Sequence, residues 1–394
     1  MEIEYSKKNN KLVRAFTVTK SLTFVEGMLT ELQKKYDVVL LSSPGEKLEH
    51  LTSEYGIKSI GIPMERHISP FKDFIALCKI IHALKKEKPT LVHSMTPKAG
   101  LLCMIAGKIT KVPLRVHTFT GLVFPTSKGL KRKILMFTDR LTCACATHII
   151  PEGEGVKNDL LKNKITKKPI KVLGNGNVMG VDMERFSKRP IIMDFSLKLR
   201  KKELFTFLFV GRIVHDKGID ELCESFHKIH SKFPNTRLTL VGDYEEELDP
   251  IKESSKKLIK NSDNGIQAVG IKRDDELIAY YAAADCFILP SYREGFPNTV
   301  LEAGAMGLPS IVTDINGSRE IIIEGENGTI IPSKDEKALT EAMERMITQN
   351  QWRDNMANNA RKMIEDRFEQ SYVRKCLFDF YDEILTNSSL KKLS

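Results

Sequence analysis

A segment in the second half of the chain combines two glutamates with the beginning of a helix. It runs from Pro290 to Glu302, reads PSYREGFPNTVLE, and follows a buried strand at Cys286 to Leu289. A helix that begins at about Thr299 offers unpaired N–H groups and a partial positive charge, which suit a diphosphate. Glu294 in the loop and Glu302 one turn into the helix can each accept two hydrogen bonds from sugar hydroxyls. The alternative is a capped helix with two solvated glutamates.

A second segment places two cations in a similar setting. FVGRIVHDKG ends a strongly apolar strand, Leu204 to Val210, and opens a helix at about Gly218. Arg212 and Lys217 lie in the loop, where they could clamp a diphosphate and stabilise the charge of a leaving group. The alternative is two surface cations, although a cation at a helix N-terminus opposes the helix dipole and so calls for a reason.

The first half of the chain has two histidines near predicted strand ends and a lysine at a predicted helix start that could bind a ligand. His117, in RVHTFTG near the end of a strand, could hydrogen-bond the transferring sugar or orient an acceptor hydroxyl. His93, in LVHSMTPKAG, is a similar candidate, and Lys98 at the start of the next helix could meet an acceptor phosphate. The alternative for both histidines is a satisfied side chain near a strand end.

Strand-like and helix-like segments alternate along the whole chain, which indicates parallel sheets covered on both faces. Because 394 residues exceed the size of one hydrophobic core, we expect two domains. The predicted architecture is α/β, with two Rossmann-like doubly wound domains facing a central cleft and ligands at the carboxyl ends of the strands. We place a first domain at 1–188, a second domain at 189–370, and at 371–394 a helix that packs back on the first domain.

Three stretches carry expectations that depend on local pattern alone. Phe24 to Lys35 is predicted to be one helix, and Ile170 to Leu173 is predicted to be a strand. The charged, proline-containing stretch from Phe186 to Lys202 is predicted to be the domain boundary.

Composition narrows the class of partner. The chain has 61 Lys and Arg against 51 Asp and Glu, a formal charge of +10, which suggests an anionic partner. Aromatic residues make up only 7%, without the arginine–aromatic pattern of a nucleic-acid binder. No phosphate-binding loop of the G-x-x-x-x-G-K type, no metal-ligand cluster and no run of 18 apolar residues occurs in the sequence.

One basic, amphipathic segment could contact a membrane. Lys128, Lys131, Arg132 and Lys133 flank the apolar run Ile134 to Phe137. Such a segment can lie on an anionic lipid surface, and the alternative is an ordinary solvated helix face.

The two loop segments together resemble glycosyltransferase family 4, a large retaining family with the GT-B fold. The resemblance rests on FVGRIVHDKG and PSYREGFPNTVLEAGAMGLP, and continues through Thr313 to Gly317 and Glu324 to Gly328. In the first half, LVHSMTPKAGLLCMIAGKITKVPLRVHTFTGLVF and VLGNGNVMGVDMERF are similar to bacterial members of the family. Those members add N-acetylated or deoxy sugars to polyprenyl-diphosphate-linked saccharides for capsules, O-antigens or protein glycosylation.

The resemblance implies that the domain at 1–188 binds the acceptor and the domain at 189–370 binds the nucleotide sugar, and it implies a role for each matching residue. Glu302 would bind the ribose of the nucleotide, Glu294 and the backbone after it would hold the donor sugar, and His117 would stand at the active-site position between the domains. The implied catalytic residues are His117, Glu294, Arg212 and Lys217. The implied donor-binding residues are Arg212, Lys217, Glu294, Gly295, Phe296, Pro297, Asn298, Thr299 and Glu302, and the acceptor-binding candidates are His93 and Lys98.

The sequence therefore predicts a metal-independent, retaining glycosyltransferase that uses a nucleotide-diphosphate sugar, UDP-linked, and a polyprenyl-diphosphate-linked saccharide acceptor. The expected partners are these two substrates and an anionic membrane surface, without a cofactor or nucleic acid, at the cytoplasmic face of the cell membrane. A nucleotide-sugar 2-epimerase of the same architecture is the alternative. It would release UDP without a sugar acceptor, and the paired glutamates of PSYREGFPNTVLE disfavour it.

Overall fold

A computed structural model describes residues 10–246 and 249–393 of the chain. The chain divides into two compact units, Met1–Met179 together with Val373–Ser394, and Gly180–Tyr372. Each unit contains one six-stranded sheet in which all the strands are parallel. The units are described separately below.

The first unit alternates strands and helices in the order expected of a doubly wound domain. Its strands are β1 Lys11–Ala15, β2 Asp37–Ser42, β3 Lys58–Gly61, β4 Leu91–Met95, β5 Leu114–Phe119 and β6 His148–Pro151. Its helices are α1 Thr23–Glu26, α2 Leu29–Lys35, α3 Glu46–Tyr55, α4 Pro70–Glu87, α5 Pro97–Ile109, α6 Gly129–Cys145 and α7 Glu154–Lys162. The sheet order is β3-β2-β1-β4-β5-β6, so the strand order reverses between β1 and β4.

Alternate strand residues of this unit supply two separate cores, because successive side chains of a strand point to opposite faces of the sheet. Val13 and Val39 pack with α4, α5 and α6 on one face, whereas Leu12 and Leu40 pack with α1, α2 and α3 on the other. The second of these cores also receives Tyr381 from the last helix of the chain.

The second unit repeats the same topology. Its strands are β7 Phe205–Val210, β8 Thr236–Val241, β9 Ile266–Ala268, β10 Cys286–Leu289, β11 Ser310–Thr313 and β12 Gly328–Ile331. Its helices are α8 Pro190–Leu199, α9 Ile219–Lys232, α10 Glu253–Lys260, α11 Asp274–Ala283, α12 Asn298–Ala305, α13 Ser318–Ile321, α14 Glu336–Thr348 and α15 Asn350–Phe368. The helix α16 Gln370–Leu393 follows. The order β12-β11-β10-β7-β8-β9 reverses between β7 and β10, and the predicted pair of doubly wound sheets is confirmed.

Two local predictions were wrong. The single helix expected at Phe24 to Lys35 is divided into α1 and α2, with Gly27 ending the first of them. The strand expected at Ile170 to Leu173 does not form, and its apolar side chains pack on the two cores of the first unit instead. The stretch Phe186 to Lys202, where the domain boundary was predicted, contains α8, because Pro190 occupies the first turn of a helix, where its missing N–H has no intrahelical partner to lose. The two compact units divide between Met179 and Gly180, and the functional domain bounds stay a prediction.

Candidate functional site

The two loops singled out in the sequence meet at the carboxyl edge of the second sheet. One follows β7 and the other follows β10, and these are the neighbouring strands between which the strand order reverses. Gly218, with φ of 69°, lies so close to the second loop that an added Cβ would stand 2.1 Å from the Pro290 carbonyl oxygen. The loops are therefore in direct backbone contact at the place where doubly wound sheets bind ligands.

Further bonds join these loops. The backbone N–H of Tyr292 donates to the Asp216 carbonyl at 2.9 Å, and the Arg293 side chain donates to the Asp216 carboxylate at 2.9 Å. The first loop is also anchored to the start of α9, since the Nδ1 of His215 lies 2.7 Å from an oxygen of the buried Asp220. These contacts join the two loops to one another and attach the first loop to α9.

Lys217 and Glu294 form an ion pair across the two loops. Their side chains are only 17% and 14% exposed, so the pair is largely removed from water. The hydroxyl of the fully buried Ser291 donates to the same Glu294 oxygen at 2.7 Å. A cation and a carboxylate thus stand side by side at the strand switch, which is an arrangement that can receive a phosphate and a sugar hydroxyl.

Arg212 belongs to a different ion pair. Its guanidinium donates to Glu245 at 2.5 Å, and half of its side chain is exposed to solvent. The structure therefore places the two predicted cations on the same loop without bringing them onto one carboxylate. Contact between Arg212 and a diphosphate stays a prediction, in which the diphosphate replaces Glu245 as the partner of Arg212.

Glu302 lies in α12 and accepts a hydrogen bond from the Tyr281 hydroxyl at 2.8 Å. Tyr281 comes from α11, is fully buried, and lies 21 residues away in sequence. Desolvation raises the pKa of Glu302 to about 7, against the lowering effects of the Tyr281 hydrogen bond and the Arg185 charge. A carboxyl group with this pKa changes between the protonated and the ionised form near neutral pH.

The backbone between the two glutamates is held by a third loop. Gly317, with φ of 74°, packs so closely that a Cβ there would lie 2.4 Å from the Gly295 carbonyl oxygen and 2.7 Å from Phe296 Cα. Phe296 is buried against Phe368, with their ring centroids 5.4 Å apart. Pro297 precedes the first helical residue of α12, and Asn298 and Thr299 form its first turn.

His117 lies inside the first unit. It is the fourth residue of β5, is 1% exposed, and has its Nδ1 2.9 Å from the Ser94 hydroxyl. A Cβ on Gly100 of α5 would come within 2.3 Å of the imidazole ring, so the helix covers it. Burial lowers the pKa of His117 to about 3, which keeps the ring neutral. Its role in sugar transfer stays a prediction.

His93 occupies the opposite face of the same sheet. Its Nδ1 lies 2.5 Å from the Tyr381 hydroxyl and its Nε2 2.7 Å from the Thr118 hydroxyl. Arg14, which is 1% exposed, donates to the same Tyr381 oxygen at 2.7 Å. Burial and the Arg14 charge hold the pKa of His93 well below its ordinary value. The ring is therefore a neutral member of a buried network, and contact with an acceptor stays a prediction.

Lys98 also has a partner within the first unit. Its ammonium group pairs with Asp73 of α4 at 2.7 Å and donates to the His67 carbonyl. The two side chains are 11% and 21% exposed. Contact between Lys98 and an acceptor phosphate stays a prediction.

Sequence reasoning missed two residues that hold the glutamates in place. Ser291 lies within PSYREGFPNTVLE, where a small hydroxyl three residues before Glu294 was a signal that could have been used. Tyr281 lies in an ordinary helical segment, and its contact with Glu302 depends on how α11 and α12 pack. Among the residues described by the structure, no cluster of three or more metal-ligating side chains occurs. No helix in the described ranges is both long and apolar enough to cross a bilayer.

Comparison with known proteins bears on the reaction class. Residues 193–363 match the family model for glycosyl transferases group 1, and residues 22–176 match the glycosyl transferase 4-like domain. The capsular polysaccharide biosynthesis glycosyltransferase CapM of Staphylococcus aureus is 36% identical over 386 residues, covering 98% of this chain and all of CapM. The chain belongs to glycosyltransferase family 4. The predictions of the family and of a glycosyltransferase enzyme are confirmed.

Two further relatives extend the comparison. The Escherichia coli UDP-Gal:alpha-D-GlcNAc-diphosphoundecaprenol alpha-1,3-galactosyltransferase is 28% identical to this glycosyltransferase, covering 90% of this chain and 91% of the relative. HepE of Anabaena, whose crystal structure was solved in complex with UDP, superposes with a TM-score of 0.78 at 17% identity, covering 95% of this chain and all of HepE. The likeness to HepE confirms the GT-B fold.

Proposed function

We propose that this glycosyltransferase moves a hexose, N-acetylated or deoxy, from a UDP-linked donor to a polyprenyl-diphosphate-linked saccharide, with net retention, in the synthesis of a surface polysaccharide such as a capsule. The observation that carries the proposal is the Lys217–Glu294 pair at the joined loops after β7 and β10. The reaction named for the Escherichia coli relative supports both the UDP donor and the lipid-diphosphate acceptor.

In this proposal, groups of the bound donor replace the carboxylates that pair with Lys217 and Arg212 in the structure. The diphosphate takes Lys217 from Glu294 and Arg212 from Glu245, while the N-terminus of α12, which has no side-chain cap, faces it with the positive end of the helix dipole. Glu294, released from Lys217 but still held by Ser291, accepts hydrogen bonds from the donor sugar. Glu302 accepts hydrogen bonds from the ribose hydroxyls through its carboxylate.

Retention follows from departure and attack on the same face of the sugar. The bond from the anomeric carbon to the diphosphate oxygen breaks with its electron pair going to the diphosphate, where Lys217 and Arg212 stabilise the charge. The acceptor hydroxyl forms its bond on the face that the diphosphate leaves. Its proton passes to the departing diphosphate oxygen, so the step needs no covalent enzyme nucleophile.

The first unit supplies the acceptor side and the membrane contact in this proposal. Lys98 exchanges Asp73 for a phosphate of the acceptor. On α6, Leu130 is 71% and Phe137 64% exposed, and the cations Lys131 and Lys133 are exposed beside them. This face docks on anionic lipid at the inner side of the cell membrane. Arg132 is turned away from this face, because it donates to Asn163 at 2.8 Å and lies over the Phe124 ring.

A donor panel tests the proposal. The protein is incubated with UDP-glucose, UDP-galactose, UDP-N-acetylglucosamine, UDP-N-acetylgalactosamine or GDP-mannose, each with and without an undecaprenyl-diphosphate-linked saccharide. Nucleotide release and the mass of the lipid-linked product are measured. We expect one UDP-linked donor to be consumed, with a matching increase in acceptor mass. Consumption of GDP-mannose alone would exclude the UDP assignment, and UDP release without acceptor product would exclude transfer.

A further inference from the structure

The helix α4 carries two apolar faces, although a surface helix of a globular domain needs only one. Ala76, Ile80 and Leu84 face the core and are at most 2% exposed. Phe71 and Phe74, which are one turn apart on another side of the helix, are 78% and 63% exposed.

Two neighbours extend this second face. Ile75 follows at the next position and is 40% exposed, and Ile68 just before the helix is 57% exposed. We call Ile68, Phe71, Phe74 and Ile75 the α4 ridge. Two exposed phenylalanines with two exposed isoleucines near them in sequence indicate an interaction site, because soluble proteins seldom expose large apolar patches.

The α4 ridge lies at the same edge of the first unit as the exposed apolar residues of α6. Helices α4, α5 and α6 each connect parallel strands, so all three run opposite to the strands and begin at the carboxyl edge of the sheet. Helix α5 packs against both of the others and lies between them. At 8–10 Å per helix pair, the ridge and the α6 face are roughly 20 Å apart. Two separated protrusions at one edge can touch a flat surface at the same time.

The charges around the ridge favour an anionic partner. The acidic residues beside it are already neutralised, since Glu65 pairs with Lys72 and Asp73 pairs with Lys98. On α6, Lys131 and Lys133 have no carboxylate partner within the described residues, and the same holds for Lys128 and for Lys79 of α4. Exposed aromatic rings with unpaired cations around them match a bilayer surface, where the rings enter the headgroup region and the cations meet lipid phosphates.

We propose that the α4 ridge inserts into an anionic lipid bilayer and that, together with the α6 face, it forms a two-point membrane contact. The inference deepens the proposed function, because it rests on the membrane docking proposed above for α6 alone. Since both points lie at the carboxyl edge of the first sheet, docking brings this edge to the headgroups, where the diphosphate of a lipid-linked acceptor is found. Lipid binding through the apolar α4 ridge should persist at high salt, whereas lipid binding through the α6 lysines should weaken. Charges are screened within about 10 Å at 0.1 M salt and about 3 Å at 1 M.

Sedimentation with vesicles of phosphatidylcholine and phosphatidylglycerol in equal amounts tests each point separately. The variant Phe71→Ser/Phe74→Ser removes the ridge, and Lys131→Gln/Lys133→Gln removes the basic point. Ile109→Ser is the matched control, because Ile109 is 53% exposed but ends α5 at the opposite edge of the sheet. We expect the ridge variant to bind about tenfold more weakly or worse at both 0.1 M and 1 M salt. The lysine variant weakens binding at 0.1 M salt only, and the control binds as the wild type.

Other results of the sedimentation experiment would contradict particular parts of the inference. A ridge variant that binds as tightly as the wild type overturns the inference, whereas unchanged binding by both variants overturns the α6 docking as well. If light scattering shows that the wild type is a dimer and the ridge variant a monomer with unchanged vesicle binding, the ridge is a protein interface. Transfer to a detergent-dispersed acceptor is measured in parallel. If the wild type does not transfer sugar to the detergent-dispersed acceptor, the proposed function itself is contradicted. If the ridge variant keeps this transfer but no longer transfers sugar to an acceptor in vesicles, the inference is supported.

Discussion

If Glu302 binds the ribose as proposed, donor binding should strengthen as the pH rises through 7, because the carboxylate accepts stronger hydrogen bonds from the ribose hydroxyls than the protonated carboxyl group does. Burial raises the pKa of Glu302 to about 7, while the Tyr281 hydrogen bond opposes this shift. At that pKa about a tenth of the carboxyl groups are ionised at pH 6 and about nine tenths at pH 8. If only the carboxylate binds ribose, the affinity for a UDP-sugar rises roughly tenfold between these pH values, or about 1.4 kcal/mol.

The same pKa has a consequence for stability, with the opposite sign. A carboxyl group with a raised pKa in the folded state favours folding when it is protonated. This contribution is present below the ordinary pKa of 4.5 and is lost as the pH rises towards 7. The loss amounts to roughly 3 kcal/mol at most. Donor binding then offsets the cost of an ionised Glu302.

Isothermal titration calorimetry with UDP-glucose, a probe without a phosphate that titrates near neutral pH, measures the effect in two buffers of different ionisation enthalpy. The wild type should release close to one proton on binding at pH 6 and almost none at pH 8. Glu302→Gln should bind without this pH dependence, and Glu302→Ala should lose about 1.5–3 kcal/mol of binding at pH 8. A flat pH profile in the wild type, or the same profile in Glu302→Gln, would refute the ribose assignment.

Tyr281→Phe is a finer perturbation of the same carboxyl group. Because the Tyr281 hydroxyl lowers the pKa of Glu302, its removal should move the midpoint of the binding profile to higher pH. Tyr280→Phe is the matched control, since Tyr280 precedes it in α11 and makes no hydrogen bond to Glu302 in the structure. Equal midpoints in the two variants would mean that the Tyr281 contact does not tune Glu302.

Three further predictions concern the metal, the leaving group and the core of the first unit. Activity should persist in excess EDTA, because in the proposed mechanism Lys217 and Arg212 take the place of a metal at the diphosphate; loss of activity with rescue by Mn²⁺ would show otherwise. Lys217→Ala should lower the rate of transfer by about 10²–10³-fold, which is the typical effect of removing one group that stabilises charge in the transition state. An unchanged rate would mean that Lys217 does not stabilise the leaving group. Tyr381→Phe should lower the free energy of unfolding in urea by about 1–3 kcal/mol, because it leaves the buried Arg14 and His93 without their shared partner; an unchanged midpoint of unfolding would contradict this account of the network.

Local sequence signals were sufficient for the strands and helices that carry the candidate donor site. The strand Cys286–Leu289 was predicted at its observed bounds, and α12 begins one residue before the expected Thr299. Apolar runs that end at proline or glycine are strong signals, because buried parallel strands are continuous and glycine is needed where loops approach closely. The alternation of strands and helices then favours parallel, doubly wound sheets.

Contacts between residues that are far apart in the sequence could not be predicted from these local signals. Lys217 and Glu294 are 77 residues apart, and Tyr281 reaches Glu302 through the packing of two helices. The short edge strand β3, which reads KSIG and is only half-buried, gives a weak pattern that was missed. Local preference is overridden in such places by tertiary packing, which a single sequence does not display.

The stereochemistry of the transferred sugar tests the central claim most directly. The product formed from the preferred UDP-sugar and an undecaprenyl-diphosphate-linked saccharide is isolated in the presence of EDTA, and nuclear magnetic resonance determines the configuration at the new glycosidic bond. The account predicts a lipid-linked product that keeps the anomeric configuration of the donor. A product of inverted configuration, or an epimerised sugar with UDP released and no addition to the lipid-linked acceptor, would contradict it.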